Sequence, residues 1–105
     1  MSRSRFRAAL TDNTLTTMFA ASPGNYIDLV MLVLSNSSAT PVSAAIIEDA
    51  TTVMNVVVPA NGNFGFTTPP KIQGSGQGLA WKIQLSGTAN VDVFAQAETT
   101  PAARN

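Results

Sequence analysis

The chain predicts an all-β fold, a single antiparallel β-sandwich or jelly-roll-like barrel with a flexible N-terminal arm. Three observations carry that prediction. Short apolar or alternating runs recur at roughly ten-residue spacing, punctuated by Gly, Pro, Asn and Ser. Val, Ile and Thr are abundant, whereas charged residues, which populate helix surfaces, are only 11% of the chain. The segment GLAWKIQLS keeps strict period two, with Leu79, Trp81, Ile83 and Leu85 inward and Ala80, Lys82, Gln84 and Ser86 outward. With 105 residues, 45% of them hydrophobic, the chain can bury one core and not two.

The elements follow in order. Residues 1–12 read as a basic arm, because Arg3, Arg5 and Arg7 place half of the cations in the first seven residues. Arginine alternates there with small or aromatic residues, so an extended arm lines its charges along one side. The remaining body carries three cations against six anions and is mildly acidic. Residues 13–98 form the sandwich. TLTTMFA is a weakly patterned strand that ends at Ser22-Pro23-Gly24-Asn25, a turn in which Pro fixes φ and Gly accepts φ > 0. Tyr26 to Ser35 is the most apolar run. Both of its parities are apolar from Leu29 to Leu34, the pattern of a strand covered on both faces. One face meets the core and the other wants a neighbour.

Asn36 to Pro41 is a polar loop. Val42–Asp49 and Thr52–Pro59 read as a hairpin, with Val53, Asn55 and Val57 on one face and Met54, Val56 and Val58 on the other. Asn61-Gly62 marks a turn. Phe64 and Phe66 share a face, and Pro69-Pro70 points to an extended crossing segment instead of regular sheet. Ile72 to Gly78 is a flexible loop. In the last strand Val91, Val93, Ala95 and Ala97 alternate with Asp92, Phe94 and Gln96, which turns Phe94 away from the core. Residues 99–105 form a flexible C-terminal tail.

Chemistry is bounded by what the chain lacks. It contains no histidine and no cysteine, so Ser-His-Asp and Cys-His arrangements and the nitrogen and sulfur ligand sets of zinc cannot be built. Asp28, Glu48, Asp49 and Asp92 match no calcium-loop spacing, and Glu48-Asp49 reads as hairpin-end chemistry. Gly74-Ser75-Gly76-Gln77-Gly78 lacks the third glycine of a dinucleotide fingerprint, and a strand follows it where a helix should. The reading is a non-enzymatic module with no catalytic residue, no metal, no cofactor and no small-molecule substrate. The longest apolar run is too short to cross a bilayer, so no membrane partner is expected.

The candidate binding residues are Arg3, Arg5, Phe6 and Arg7 on the arm, and Leu29, Met31, Val33 and Phe94 as oligomer-interface candidates. An acidic protein surface fits the arm better than nucleic acid, since three charges are few and the body is itself acidic. The run VSAAIIEDATTVMNVVVPANGNFGFTTPPKIQGSGQGLAWKIQLSGTANVDVFAQAE, residues 42–98, resembles small β-sandwich structural proteins of tailed bacteriophages. An aliphatic hairpin, a VPANGNFGF-type loop, a proline segment and a closing hairpin carry the resemblance. It implies a capsid decoration (cement) protein on the capsid surface, with the major capsid protein as partner and a homotrimer as the assembly. A tail or fibre component, including a carbohydrate-binding one, and a nucleic-acid-binding coat protein using the arginine arm are the alternatives.

Overall fold

Alternation of apolar and polar residues commits the chain to strands, and turn residues decide where each strand ends. The computed structural model describes residues 2–72 and 74–101, and for residues 2 and 66–72 the backbone alone. Its strands are β1 (Ser2–Leu10), β2 (Thr16–Phe19), β3 (Asn25–Asn36), β4 (Val42–Glu48), β5 (Thr51–Val58), β6 (Gly62–Ile72), β7 (Trp81–Leu85) and β8 (Val91–Pro101). No helix occurs among the described residues. One sheet runs β1-β8-β3-β6 and the other β2-β7-β4-β5, and every neighbouring pair is antiparallel. This interleaved order, with first and last strands adjacent, is the jelly roll.

The turns are where their residues place them. Pro23-Gly24 closes a turn in which the Asn25 N–H donates to Ser22 O at 3.0 Å and Gly24 takes φ +78°. Asp49-Ala50 links β4 to β5 with Asp49 at φ +59°, and Asn61 takes φ +52° before β6. Both residue types tolerate the left-handed region better than most.

The two sheets face each other across a core of Leu29, Leu32, Leu34, Ile46, Val58, Trp81, Ile83, Leu85 and Val91, all nearly or fully buried. The alternation read for the last two strands holds from Trp81 onward: Trp81, Ile83, Leu85, Val91, Val93, Ala95 and Ala97 are all buried. Just before β7 it fails, since Ala80, expected outward, is buried and Leu79, expected inward, is half-buried; both precede the strand, so strand parity does not govern them. Trp81 also donates its indole N–H to Ile27 O at 2.7 Å, so its one polar atom is satisfied inside the core.

Two expectations about the ends are corrected. Residues 2–10 are not an arm outside the sandwich: β1 pairs with β8 along its whole length, from Ser2↔Thr99 to Leu10↔Val91. The reason lies in the same alternation. Phe6, Ala8 and Leu10 turn inward onto the core while the arginines turn outward, which is an amphipathic edge strand. The sandwich also extends past residue 98, since β8 continues to Pro101 and pairs there with β3. The rest of the expected tail, residues 102–105, lies outside the described residues.

The doubly apolar run of β3 has a local cause. Its register with β8 shifts from Leu29↔Ala97 to Met31↔Gln96, so Val30 is an extra residue against that strand, a β-bulge that switches the inward parity. Ile27 and Leu29 face the core before it, and Leu32, Leu34 and Asn36 after it. In β6 the register jumps from Met31↔Thr67 to Leu29↔Ile72, and Pro69-Pro70 falls in that interruption, on an edge strand where a missing N–H is tolerated.

The loop after β6 was expected to be flexible. Gln73 lies outside the described residues, but Gly74 to Gly78 is tied down. Gly74 N–H donates to Asp28 Oδ1 at 2.8 Å. Ser75 donates its N–H and its hydroxyl to Glu48 at 2.8 and 2.7 Å, and Gly78 N–H donates to Asn25 O at 2.9 Å. Asp28 and Glu48 are both buried, so each is a structural anchor. A Cβ on Gly74 would stand 2.6 Å from Ile27 O, backbone that cannot step aside. Gly74→Ala is expected to cost about 1–3 kcal/mol, read as a melting temperature lowered by about 4–8 °C per kcal/mol.

Candidate functional site

The outer face of the β1-β8-β3-β6 sheet collects most of the residues singled out for binding. Because side chains alternate, every second residue of each strand points to this face, and the registers set them in rows. One row is Arg7, Phe94, Val33 and Gly65; the next begins with Arg5, Gln96 and Met31. A third begins with Ala9, Asp92 and Ser35. Arg5 and Arg7 are exposed, while Met31, Val33 and Phe94 are half-buried. Together they make an apolar ridge flanked by two cations.

A shallow groove of about 750 Å³ runs along this ridge, lined by Arg7, Ala9, Val33, Ser35, Asp92 and Phe94 among others. Gly65 stands in the same row by its pairing with Val33, and a side chain there would crowd β3: its Cβ would meet Leu32 O at 3.0 Å and Val33 Cγ2 at 3.2 Å. The arginines are not equivalent. Arg3 Nη2 donates to Glu98 Oε2 at 3.0 Å, with its side chain 50% exposed. Arg5 and Arg7 have no side-chain hydrogen bond or ion pair among the described residues. A surface pair such as Arg3–Glu98 contributes at most about 1 kcal/mol, so its effect is to set the local charge. Among the described residues of β1, the charge left for a partner is that of Arg5 and Arg7.

Two of the predicted binding residues do not belong to this face. Phe6 is turned inward, its ring edge-on to Phe19 at 6.4 Å between centroids. Leu29 is fully buried, on the core side of the bulge at Val30. The six that remain, Arg3, Arg5, Arg7, Met31, Val33 and Phe94, lie on three stretches of sequence, and the pairing of β8 with both β1 and β3 joins them into one surface.

Elsewhere the polar chemistry is structural. Buried Asn36 donates its amide to Thr40 O at 3.0 Å and to Val58 O and Pro59 O at 3.3 Å, and accepts from Ser38 N–H at 2.9 Å. It ties two connections to one end of the sandwich. Past β1, hydrogen bonds from the Thr14 hydroxyl and backbone N–H hold the Asp12 carboxyl below its ordinary value. A depressed carboxyl contributes its stabilisation fully above the usual carboxylate range and loses it as pH falls below that range through the lowered folded-state value. No group of three or more acidic side chains among the described residues is placed to hold a metal ion.

No family model matches the chain, and no curated protein matches it by sequence. The architecture does recur in solved structures. A chain from the acid-stable capsid of Helicobacter pylori bacteriophage KHP30 superposes with a TM-score of 0.59 at 6% identity, covering 95% of this chain and 92% of that one. A chain from the disulfide-linked pili of Bacillus endospore appendages superposes with a TM-score of 0.56 at 15% identity, covering 97% and 88%. At such identities the likeness is one of fold. The chain is a jelly-roll β-sandwich with one basic, ridged sheet face.

Proposed function

We propose that this chain is a structural subunit of a viral particle, a capsid decoration (cement) protein that seats on the major capsid protein through the outer face of the β1-β8-β3-β6 sheet. The observation that carries the reading is the gathering of exposed Arg5 and Arg7, unpaired among the described residues, beside the Phe94–Val33–Met31 ridge. The phage-capsid likeness supports it, and the coverage makes the two chains nearly equal in length. A low charge content suits a protein that works packed against others. The threefold assembly comes from the family resemblance of residues 42–98, and sedimentation as a monomer at micromolar concentration counts against it.

The division of labour follows from magnitudes. Covering a large apolar side chain completely stabilises a contact by about 1.5–3 kcal/mol, whereas an exposed ion pair adds about 0–1. The ridge therefore supplies most of the affinity, and the arginines steer and orient. Phe94→Ala, already half-buried in the wild type, is expected to weaken attachment roughly tenfold while the chain stays folded. Location is tested by copy number in purified particles, read by gel densitometry against the main shell protein. Hundreds of copies are expected. A handful moves the chain to the tail or a fibre, and binding to DNA-filled but not empty particles transfers the role of the arginines to nucleic acid.

A further inference from the structure

A sandwich of two four-stranded sheets has four edge strands: β1, β6, β2 and β5. Each presents open backbone N–H and C=O groups that pair with another strand unless something prevents it. Three are blunted. β1 carries Arg3, Arg5 and Arg7, β6 contains Pro69-Pro70, and β2 is four residues long. The sequence of β5 is TTVMNVVV, with no charge and no proline. Its outward side chains include the two most exposed valines, Val57 at 66% and Val53 at 41%.

The interruptions of β5 define what can pair with it. Its register with β4 shifts between Ile46↔Met54 and Ile47↔Thr52, so Val53 is a bulge. Pro59 follows the strand and has no N–H to give. Between them lies a regular run of five residues, Met54–Val58, with Val56 at its centre. An antiparallel copy of the same run, turned about a two-fold axis at Val56, sets Met54 opposite Val58 and Asn55 opposite Val57. It also sets the bulged Val53 of each copy opposite Pro59 of the other, so the two positions that interrupt a ladder coincide. The outward valines of both copies then meet diagonally across the axis and cover each other.

We propose that β5 pairs with β5 of a second copy of this chain, antiparallel and centred on Val56, joining two four-stranded sheets into one of eight. The contact lies on the opposite sheet from the docking face and holds whatever that face binds. Being two-fold, it joins neighbouring assemblies and does not build a threefold one. A second copy is the occupant because the edge is uncharged and complementary to itself, whereas a basic edge such as β1 would repel its own copy.

The chain has no cysteine, so introduced thiols report cleanly. Asn55→Cys and Val57→Cys sit on exposed positions, and across the proposed axis they face each other at about 4.5–5.5 Å between Cα atoms, within disulfide reach. Mixed and mildly oxidised full-length chains are expected to give covalent dimers several-fold in excess of either variant alone, or of Thr17→Cys on the β2 edge. Val57→Lys should reduce dimer formation at least tenfold, with circular dichroism unchanged. A mixture that crosslinks no better than Thr17→Cys overturns the pairing. Stronger crosslinking of Asn55→Cys with itself overturns the register, and persistence of the dimer in Val57→Lys overturns the role of the edge.

Discussion

Trp81→Ala is expected to lose about 3–5 kcal/mol of folding stability. The ring is fully buried at the start of β7, and its N–H is bonded to Ile27 O in the opposite sheet. Truncation removes the largest side chain of the core and leaves a buried carbonyl without its donor, so cavity and desolvation costs add. Against a typical stability of about 5–15 kcal/mol this is a large share. Urea denaturation should show the midpoint shifted down with little change in slope. A variant with the wild-type midpoint and weakened attachment would reassign Trp81 to partner contact.

Deleting residues 1–10 is expected to cost as much or more. The deletion removes β1, an edge strand hydrogen-bonded to β8 along nine residue pairs. It also uncovers the core where Phe6, Ala8 and Leu10 pack. Loss of the Leu10 contacts and part of those of Phe6 is worth about 3–5 kcal/mol before the ladder is counted. β8, the strand that bridges β1 and β3, becomes a bare edge. The expected outcome is a chain that no longer melts cooperatively, or aggregates. A truncated chain with a wild-type melting curve would restore the view of residues 1–12 as an appendage. For testing attachment the suitable variant is therefore Arg5→Glu with Arg7→Glu, since both side chains are exposed and the backbone of β1 is kept.

The parts of the fold legible in the sequence are those where a local pattern suffices. The alternation of Trp81 to Leu85 and Val91 to Ala97 needs no knowledge of partners, and Pro23-Gly24 and Asn61-Gly62 set their own backbone angles. Phe94 could be turned outward on parity alone. The misreadings share a different cause. Arg3, Arg5 and Arg7 draw attention to charge, yet the apolar residues between them, Phe6, Ala8 and Leu10, make β1 a strand. The bulge at Val30 is one residue of slip inside a run apolar on both parities, so no alternation marks it, and Leu29 changes sides as a result. The anchoring of Gly74 and Ser75 by Asp28 and Glu48 spans 46 and 27 residues of sequence, and no local pattern encodes it. The docking face had the same difficulty. Its residues were visible one by one, but only the pairing of β1 with β8 and of β8 with β3 brings them together.

The claim that this face attaches the chain to a shell is tested most directly by co-sedimentation. Purified full-length chain is mixed with particles of its own virus prepared without it, at several salt concentrations. Wild-type chain is expected to pellet saturably, and the Arg5→Glu, Arg7→Glu double variant should bind at least tenfold more weakly with an unchanged melting curve. The difference should shrink as salt rises, because exposed charges are screened. Equal, saturable binding of the double variant and the wild type at low salt would contradict the assignment of the β1-β8-β3-β6 face as the docking surface.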